Sequence, residues 1–507
     1  MTDKPANPSP SSGESHHQFI NRALSFTFLE NLFKPISPLM ELVCAALFVG
    51  GPWGRYKFYE SLVFLFFRIS LMGMDKGVIW YYSQVEEAVY LKSIFRSLTW
   101  CFLAFMILGA LTFGSYYGII PFSGWVLGKN SDSFHVAGSE LLQYLLVVPM
   151  MLIIELCLQA NVNKYNLKYR ILVPGILVPL VTYGLAVGGH FAAPGLFSLS
   201  LCLLAGNTAG AALAFWGFVR THRPSWQDVS LGKPPSWKMI QYSFPLASAN
   251  IFAALAVRAD IFMLAGLAGV RSVEIFAVVT MIGKSLTSIR QSFENILLSA
   301  FSSSKSSHLT LKLKHYFNYS VWLVMGVQGA LLLLMIFFGT EALGLINSQY
   351  ATGYWTLIIT AFFIYVNTAT EFSALLLLGL GRTYVMPVNH VIFFVGNILL
   401  NFLFIPRWDS LGAALALGLT NLASGFIYFS FLTYFNRSTP FLWSYWRPIL
   451  INTGCLVAFT TLGFYLHVGF LMRVFVFALS LAGAFFWQRR HYRQFNNWIK
   501  DVGNAPA

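Results

Sequence analysis

Long runs of apolar residues, separated by short polar segments, make up most of this chain. Each run has about 20 residues, the length at which a helix crosses the hydrocarbon core of a bilayer. The period-two alternation of a membrane barrel is absent, and backbone groups in a bilayer must pair within their own segment, so the runs predict helices. We predict about fourteen transmembrane helices, roughly at 30–50, 56–74, 94–118, 139–160, 170–190, 195–218, 240–265, 271–298, 317–338, 355–378, 386–405, 411–434, 447–466 and 470–487.

Composition and charge support a membrane protein. Of the 507 residues, 57% are hydrophobic and 10% are charged, whereas about a quarter of the residues in a soluble protein are charged. Lys and Arg outnumber Asp and Glu by 33 to 19. If the N-terminus is placed in the cytoplasm, most of these cations fall in cytoplasmic loops, as the positive-inside rule requires. We therefore predict a multi-pass protein of the cytoplasmic (inner) membrane with both termini in the cytoplasm.

Weak internal similarity appears at a spacing of six spans. Span 6 contains "GLFSLSLCLLAGNTAGAALAFW" and span 12 contains "DSLGAALALGLTNLASGFIYF", each with an Asn among small residues and an aromatic end. Spans 1–2 and spans 7–8 both form a helix, a short glycine-containing turn and a second helix. Glu155 in span 4 and Glu371 in span 10 both precede a basic turn. This repetition predicts two pseudo-symmetric six-helix lobes around a central cavity, a common transporter plan, followed by two C-terminal helices.

The predicted domain organisation follows from this repeat. We expect a disordered cytoplasmic tail (1–18), a first lobe with spans 1–6 (19–218), a cytoplasmic linker (219–238), a second lobe with spans 7–12 (239–435), and a C-terminal part with spans 13–14 and a basic cytoplasmic tail (436–507). The first 18 residues are polar and rich in Pro and Ser, and they contain no apolar core, so they do not form a signal peptide.

One segment carries a resemblance to a known family. The stretch "LLLLGLGRTYVMPVNHVIFFVGNILLNFLFIPRWDSLGAALALGLTNLASGFIYF" resembles the polysaccharide transporter flippases of the multidrug/oligosaccharidyl-lipid/polysaccharide (MOP) exporter superfamily, which include O-antigen flippases. "GPWGRYKFYESLVFLFFRISLMGMDKGVIWYYSQ" and "VRADIFMLAGLAG" are similar to the first outer turn with the second span, and to the seventh span, of that family. The resemblance covers roughly residues 25–435.

The resemblance implies a function. Its lobes would open alternately to the two sides of the membrane, and the substrate would be a glycan on a polyprenyl diphosphate whose lipid tail stays in the bilayer. The signature expected of a lipid II flippase at the end of span 2 is missing, which favours another lipid-linked glycan. The resemblance also implies that spans 2, 7 and 8 border the central cavity.

Charged residues inside the spans are the candidate site. An ionised group at mid-bilayer costs a few kcal/mol or more, so it usually faces a cavity or a partner. The cations in spans 2, 7 and 8 are predicted to bind the substrate diphosphate, because fixed cations can replace its hydration and the planar fork of arginine binds phosphate oxygens in pairs. They are Arg68, Arg258, Lys284 and Arg290. Structural ion pairing is the alternative, as between Arg290 and Glu294, four residues apart on one helical face.

The carboxylates have two possible roles. Arg258 and Asp260 stand two residues apart in "LAVRADIF", so they point to nearly opposite sides of a helix. We predict that Arg258 faces the substrate while Asp260 is a structural partner of Lys284 or Arg290. A buried Glu155 or Glu371 can carry a proton or sodium ion as the lobes move, or can make a hydrogen bond between packed helices as a neutral acid.

Other functions fit less well. A drug or small-molecule exporter of the same superfamily would not need a cluster of cavity cations. A membrane glycan polymerase or acyltransferase needs a large outer loop or an intramembrane catalytic His, but the longest outer loop has about 20 residues and no nucleotide-binding glycine loop is present. We predict no catalytic residue, metal or cofactor. The expected partners are the lipid-linked glycan, membrane lipid and polysaccharide assembly proteins, with no nucleic acid, and the chain is expected to be a monomer.

Overall fold

The computed structural model describes residues 36–82, 85–116, 138–163, 168–192, 198–224, 234–302, 311–379 and 385–436, with a few single positions beyond. Within these ranges the regular structure is helical, with no strand. Contacts divide the chain into two compact units, residues 1–274 and 275–507. The division lies inside one helix and does not test the predicted lobes, which stay a prediction.

The first unit contains ten helices and the start of an eleventh, among the described residues. They are α1 (Ile36–Leu47), α2 (Pro52–Leu71), α3 (Met74–Tyr82), α4 (Glu87–Tyr116), α5 (Gly138–Leu145), α6 (Val147–Asn163), α7 (Lys168–Leu172), α8 (Val178–Ala192), α9 (Leu199–His222) and α10 (Trp237–Leu267). A π-helical turn at Val173–Leu177, which contains Pro174, joins α7 to α8. Small residues allow close packing here: a side chain on Gly210 of α9 would come within 2.5 Å of Val178 in α8.

The second unit is built from four long helices in the described part. They are α11 (Val270–Ser302), whose first residues belong to the first unit, α12 (Leu311–Ile346), α13 (Tyr354–Gly379) and α14 (Val385–Asn436). A 3-10 turn at Ser348–Gly353 connects α12 to α13. α13 packs against both α12 and α14.

The helix α14 is a hairpin of two arms. Its backbone leaves the helical region at Asp409, where φ is 48° and ψ is −126°, and Pro406 lies just before this point. A side chain on Gly412 would collide with the backbone of Phe404, and Asn389 donates a hydrogen bond to Ser424, so the arms run antiparallel. The sequence "IPRWDSLG" is therefore the turn between the predicted spans 11 and 12.

The predicted spans can be compared with these helices. Each of the first twelve spans overlaps a described helix or, for spans 11 and 12, one arm of α14. In the part of the chain that the structure describes, eight helical segments are long and apolar enough to cross a membrane, and the bent α14 counts among them once. The chain is thus an all-helical, multi-pass membrane protein. The count of fourteen stays a prediction, since spans 13 and 14 lie almost entirely outside the described residues.

Candidate functional site

Helix α2 is positioned by its two ends. It begins with Pro52 at the first helical position, after two glycines with positive φ, where the missing N–H of proline costs nothing. It ends at Leu71, and the chain then turns through Gly73, which has a φ of 70°. A side chain on Gly73 would lie 2.5 Å from the carbonyl oxygen of Ser243, so this turn lies directly on α10. The same contact brings α2 alongside α10 over much of its length.

Two predicted cations meet on this pair of helices. The guanidinium carbon of Arg258, on α10, lies 4.8 Å from the ring centre of Phe64, on α2. The guanidinium carbon of Arg68 lies 5.2 Å from the centre of the same ring. Because both stack on one ring, the two guanidinium carbons are at most about 10 Å apart. We call Arg68, Arg258, Phe64 and Ser61 the paired-arginine site.

The guanidinium of Arg258 is only partly satisfied. One of its terminal nitrogens donates to the hydroxyl of Ser61 at 3.3 Å. Its Nε is buried and has no hydrogen-bond partner in the part of the chain that the structure describes. Among the described residues, neither Arg258 nor Arg68 has a carboxylate within ion-pair distance. Two uncompensated guanidiniums between apolar helices create a positive potential and free donors, the chemistry of an anion site.

Asp260 follows on the same helix. It is buried, with 2% of its surface exposed. The half-buried Arg258 is two positions earlier, so the two side chains leave the helix on different sides, as the spacing predicts. The partner predicted for Asp260, Lys284 or Arg290, belongs to the second unit, and that pairing stays a prediction.

The second unit has its own polar site. Arg290, on α11, forms an ion pair with Glu371, on α13, with 3.0 Å between Nη2 and Oε1. The other carboxylate oxygen of Glu371 accepts from the amide nitrogen of Asn367 at 3.2 Å. These groups line a cavity of about 140 Å³ between α11, α13 and α14, which Asn421 closes from the α14 side. We call it the α11–α13 pocket.

Arg290 has a partner from another helix that the helical spacing does not suggest. Glu371, on α13, forms an ion pair with its guanidinium. The side chain of Glu294, four residues from Arg290 on the same helix, lies outside the described residues, so that pair stays a prediction. Lys284 is exposed on α11 and is not among the residues that line the pocket. Among the described second-unit candidates, the structure brings Arg290 and Glu371 together.

Glu155 has a different environment from Glu371. One of its oxygens accepts from the side-chain amide of Gln159, four residues on in α6, at 2.7 Å. The described contact is therefore local and neutral, in contrast to the ion pair between helices at Glu371. Asn207, on α9, donates within its own helix to the carbonyl of Leu203.

A buried lysine is the feature that sequence reasoning missed. Lys57, near the start of α2, is 5% exposed and lies 2.6 Å from a carboxylate oxygen of Glu41 and 2.8 Å from one of Glu60. Its ammonium also lies 4.9 Å from the ring centre of Trp53. The spacing of Lys57 and Glu60, three residues on one helix, is visible in the sequence. Glu41 is on α1, and nothing local predicts that it joins them.

Metal chemistry finds no support in the described residues. No three His, Cys, Asp or Glu side chains in that part of the chain are grouped so that they could hold a metal ion. Four cysteines fall in it, and each is buried with a free thiol: Cys44, Cys101, Cys157 and Cys202.

Known structures with this fold are membrane transporters. The lipid II flippase MurJ in an inward closed conformation is similar with a TM-score of 0.73 and 12% identity, over 93% of this chain and 99% of that one. A MATE family multidrug resistance transporter of the MOP superfamily is similar in its inward-facing conformation, with a TM-score of 0.60 and 12% identity over 84% and 97% of the two chains. Neither a protein-family model nor a curated protein matches the sequence. At these identities the likeness shows the fold alone, and the fold expected from the resemblance is confirmed.

Proposed function

We propose that this protein flips a polyprenyl-diphosphate-linked oligosaccharide, or a related polysaccharide precursor, across the cytoplasmic membrane by alternating access. It carries out no chemical reaction of its own. One observation carries the proposal: Arg68 and Arg258 share the ring of Phe64, with no carboxylate partner among the described residues. Two arginines without carboxylate partners suit an anionic cargo, because their donors can bind its oxygens.

The physical reason is the cost of moving a diphosphate. Its charges are strongly hydrated in water and have no comparable partner in hydrocarbon. Guanidinium groups fixed on helices can replace that hydration with charge-assisted hydrogen bonds, two oxygens at a time. The unpartnered Nε of Arg258 is a donor available for this role. The lipid tail needs no protein site, because it can stay in the bilayer while the headgroup crosses.

The fold is consistent with a lipid-linked glycan as cargo, but it does not distinguish this cargo from a small molecule. One similar structure is named a lipid II flippase and another a multidrug transporter. The sequence lacks the signature expected of a lipid II flippase at the end of span 2, so we propose a different lipid-linked glycan. Export of a small molecule is the alternative. Uncompensated cations disfavour that alternative for cationic drugs, because like charges repel in a site of low dielectric.

The remaining parts of the proposal concern its setting. We propose that both termini lie in the cytoplasm, because this placement puts most Lys and Arg in cytoplasmic loops. We also propose that the chain acts as a monomer alongside polysaccharide assembly proteins.

The test is translocation by the purified protein in liposomes, with a fluorescent polyprenyl-diphosphate oligosaccharide as cargo. Arg258→Ala should reduce the initial rate by about a hundredfold, the size expected when a charge-assisted contact to an anion is lost. Arg220→Ala is the matched control: Arg220 also stacks on an aromatic ring, that of Trp216 at 5.3 Å, but it is exposed at the end of α9. We expect the control to transport at the wild-type rate.

Two outcomes would contradict the proposal. If the folded wild type moves lipid-free small molecules but not the lipid-linked glycan, the protein is an exporter of the other class. If the folded Arg258→Ala variant flips the glycan as fast as the wild type, the paired-arginine site is structural.

A further inference from the structure

The α11–α13 pocket combines a buried cation with a more open carboxylate. The side chain of Arg290 is 10% exposed, whereas that of Glu371 is 36% exposed. Glu371 therefore occupies the open side of the pair. An anion that approaches Arg290 through the pocket meets this carboxylate first.

The carboxylate of Glu371 makes the contacts that a phosphate group would make with Arg290 and Asn367. One oxygen of Glu371 lies 3.0 Å from a guanidinium nitrogen of Arg290, and the other accepts from the amide of Asn367. Guanidinium groups bind carboxylate and phosphate oxygens through the same donors and with the same fork geometry. The two anions therefore compete for one set of N–H groups.

The surroundings add further groups that bind oxygen atoms. The hydroxyls of Thr287 and Thr360 and the amide of Asn421 also line the pocket, so it offers polar groups from α11, α13 and α14. Phe363, Ile364 and Leu417 form the apolar part of the lining. The pocket thus places polar groups from three helices around Arg290 within a partly apolar wall, an arrangement typical of binding sites.

We propose that Glu371 is a built-in competitor for the substrate's diphosphate at Arg290: the carboxylate holds the guanidinium in the empty protein and gives it up when the anion enters. This inference rests on the proposed function, because it identifies a second anion site on the route of the same cargo. Glu371 would thus occupy the donors of Arg290 until the substrate diphosphate replaces it.

The experiment measures binding of inorganic pyrophosphate to the full chain in nanodiscs of neutral lipid, by calorimetry. Glu371→Gln keeps the shape of the side chain and removes its charge, and it should lower the Kd by about tenfold. Arg290→Gln should weaken binding. The double variant should bind as weakly as Arg290→Gln alone, because Glu371 acts through Arg290.

Two further variants serve as controls for the effect of Glu371→Gln. Glu155→Gln removes the same charge from a carboxylate whose described partner is the neutral Gln159, so it should leave the Kd within about twofold of the wild type. Asn367→Ala removes one contact that holds Glu371 in place and should give a smaller gain of the same sign. This variant keeps the ion pair, and so it tests the inference even if Glu371→Gln does not fold.

The inference is overturned if folded Glu371→Gln and Asn367→Ala bind pyrophosphate no more tightly than the wild type. It is also overturned if the gain persists after Arg290 is replaced. These results are separate from the liposome assay. If the wild type flips the glycan but Glu371→Gln does not bind pyrophosphate more tightly, only the competitor role of Glu371 is wrong. If Glu371→Gln binds pyrophosphate more tightly but the wild type does not flip the glycan, the proposed function is wrong and the anion site at Arg290 stands.

Discussion

Arg258 and Arg290 are both arginines inside predicted spans, yet their charges are met in opposite ways. Arg258 has a serine hydroxyl and a phenylalanine ring as its described partners. Arg290 has a carboxylate at 3.0 Å. The first arginine thus presents an open positive charge, and the second presents a charge that is already neutralised. An uncompensated charge serves binding, while a compensated one is stable until something displaces its partner.

Lys57 is a third cation for comparison, and its charge is balanced by two carboxylates. Its ammonium has two carboxylates and two aromatic rings around it, and it is almost completely buried. These contacts hold α1 to α2. Burial alone therefore does not distinguish the three cations; the number of carboxylates around each one does.

The largest effect should come from removing that fully compensated charge. Lys57→Met leaves Glu41 and Glu60 close together without a cation, and we expect a loss of about 3–5 kcal/mol in the free energy of unfolding. Thermal unfolding in detergent measures it. Neutralising one acid as well, in Lys57→Met with Glu41→Gln, should recover part of the loss. If Lys57→Met is as stable as the wild type, the ion pairs do not hold the helices.

The next largest effect should come from giving Arg258 a carboxylate partner like the one that Arg290 has. Ser61→Asp places a carboxylate where the hydroxyl now meets Arg258, and it should neutralise the guanidinium much as Glu371 does for Arg290. We expect flipping in liposomes to fall by about ten- to a hundredfold, since the substrate must then displace an internal anion. Ser61→Asn, of similar size without the charge, is the control. Equal rates for the two variants would show that bulk, not charge, matters.

A smaller effect should come from crowding the residues that hold Glu371. A side chain on Gly425 of α14 would collide with the hydroxyl of Thr370 and lie 2.7 Å from the amide oxygen of Asn367. Gly425→Ala should lower the free energy of unfolding by about 1–3 kcal/mol, as overpacking does. Gly344→Ala, in α12, meets nothing within 4 Å and should change it by less than about 0.5 kcal/mol. Equal melting temperatures for both variants would contradict the tight contact.

Most of the fold could be predicted from the sequence, because a bilayer leaves few alternatives. An apolar run of about 20 residues must pair its own backbone groups, so its length and composition set a helix. The turn at Asp409 was also predictable, from Pro406 and the polar residues that interrupt two apolar runs. The short helix α3 was not predicted as a separate element, because the chain reverses at Met72 and Gly73 through backbone angles that the apolar pattern does not reveal.

The site was less predictable, because its partners come from different helices. Helical spacing suggests Glu294 as an ion-pair partner for Arg290. It cannot suggest Glu371, which lies 81 positions further along the chain and reaches Arg290 through the packing of α13 on α11. The paired-arginine site likewise depends on Phe64, an aromatic residue indistinguishable from its neighbours in "LVFLFFR". The sequence shows which charged residues lie inside the predicted spans. Which of them are neutralised is a property of tertiary packing.

The cluster around Lys57 also affects how the chain enters the membrane. During synthesis Glu41 emerges sixteen residues before the lysine that neutralises it. A lone charged side chain in an inserting helix costs up to about 2.5–3.5 kcal/mol at the bilayer centre. The cluster contains three such side chains, one on α1 and two on α2. Inserted one after the other, each helix bears that cost alone; inserted as a hairpin, they share it through the ion pairs. We therefore expect these salt bridges to favour entry of α1 and α2 into the bilayer as one unit.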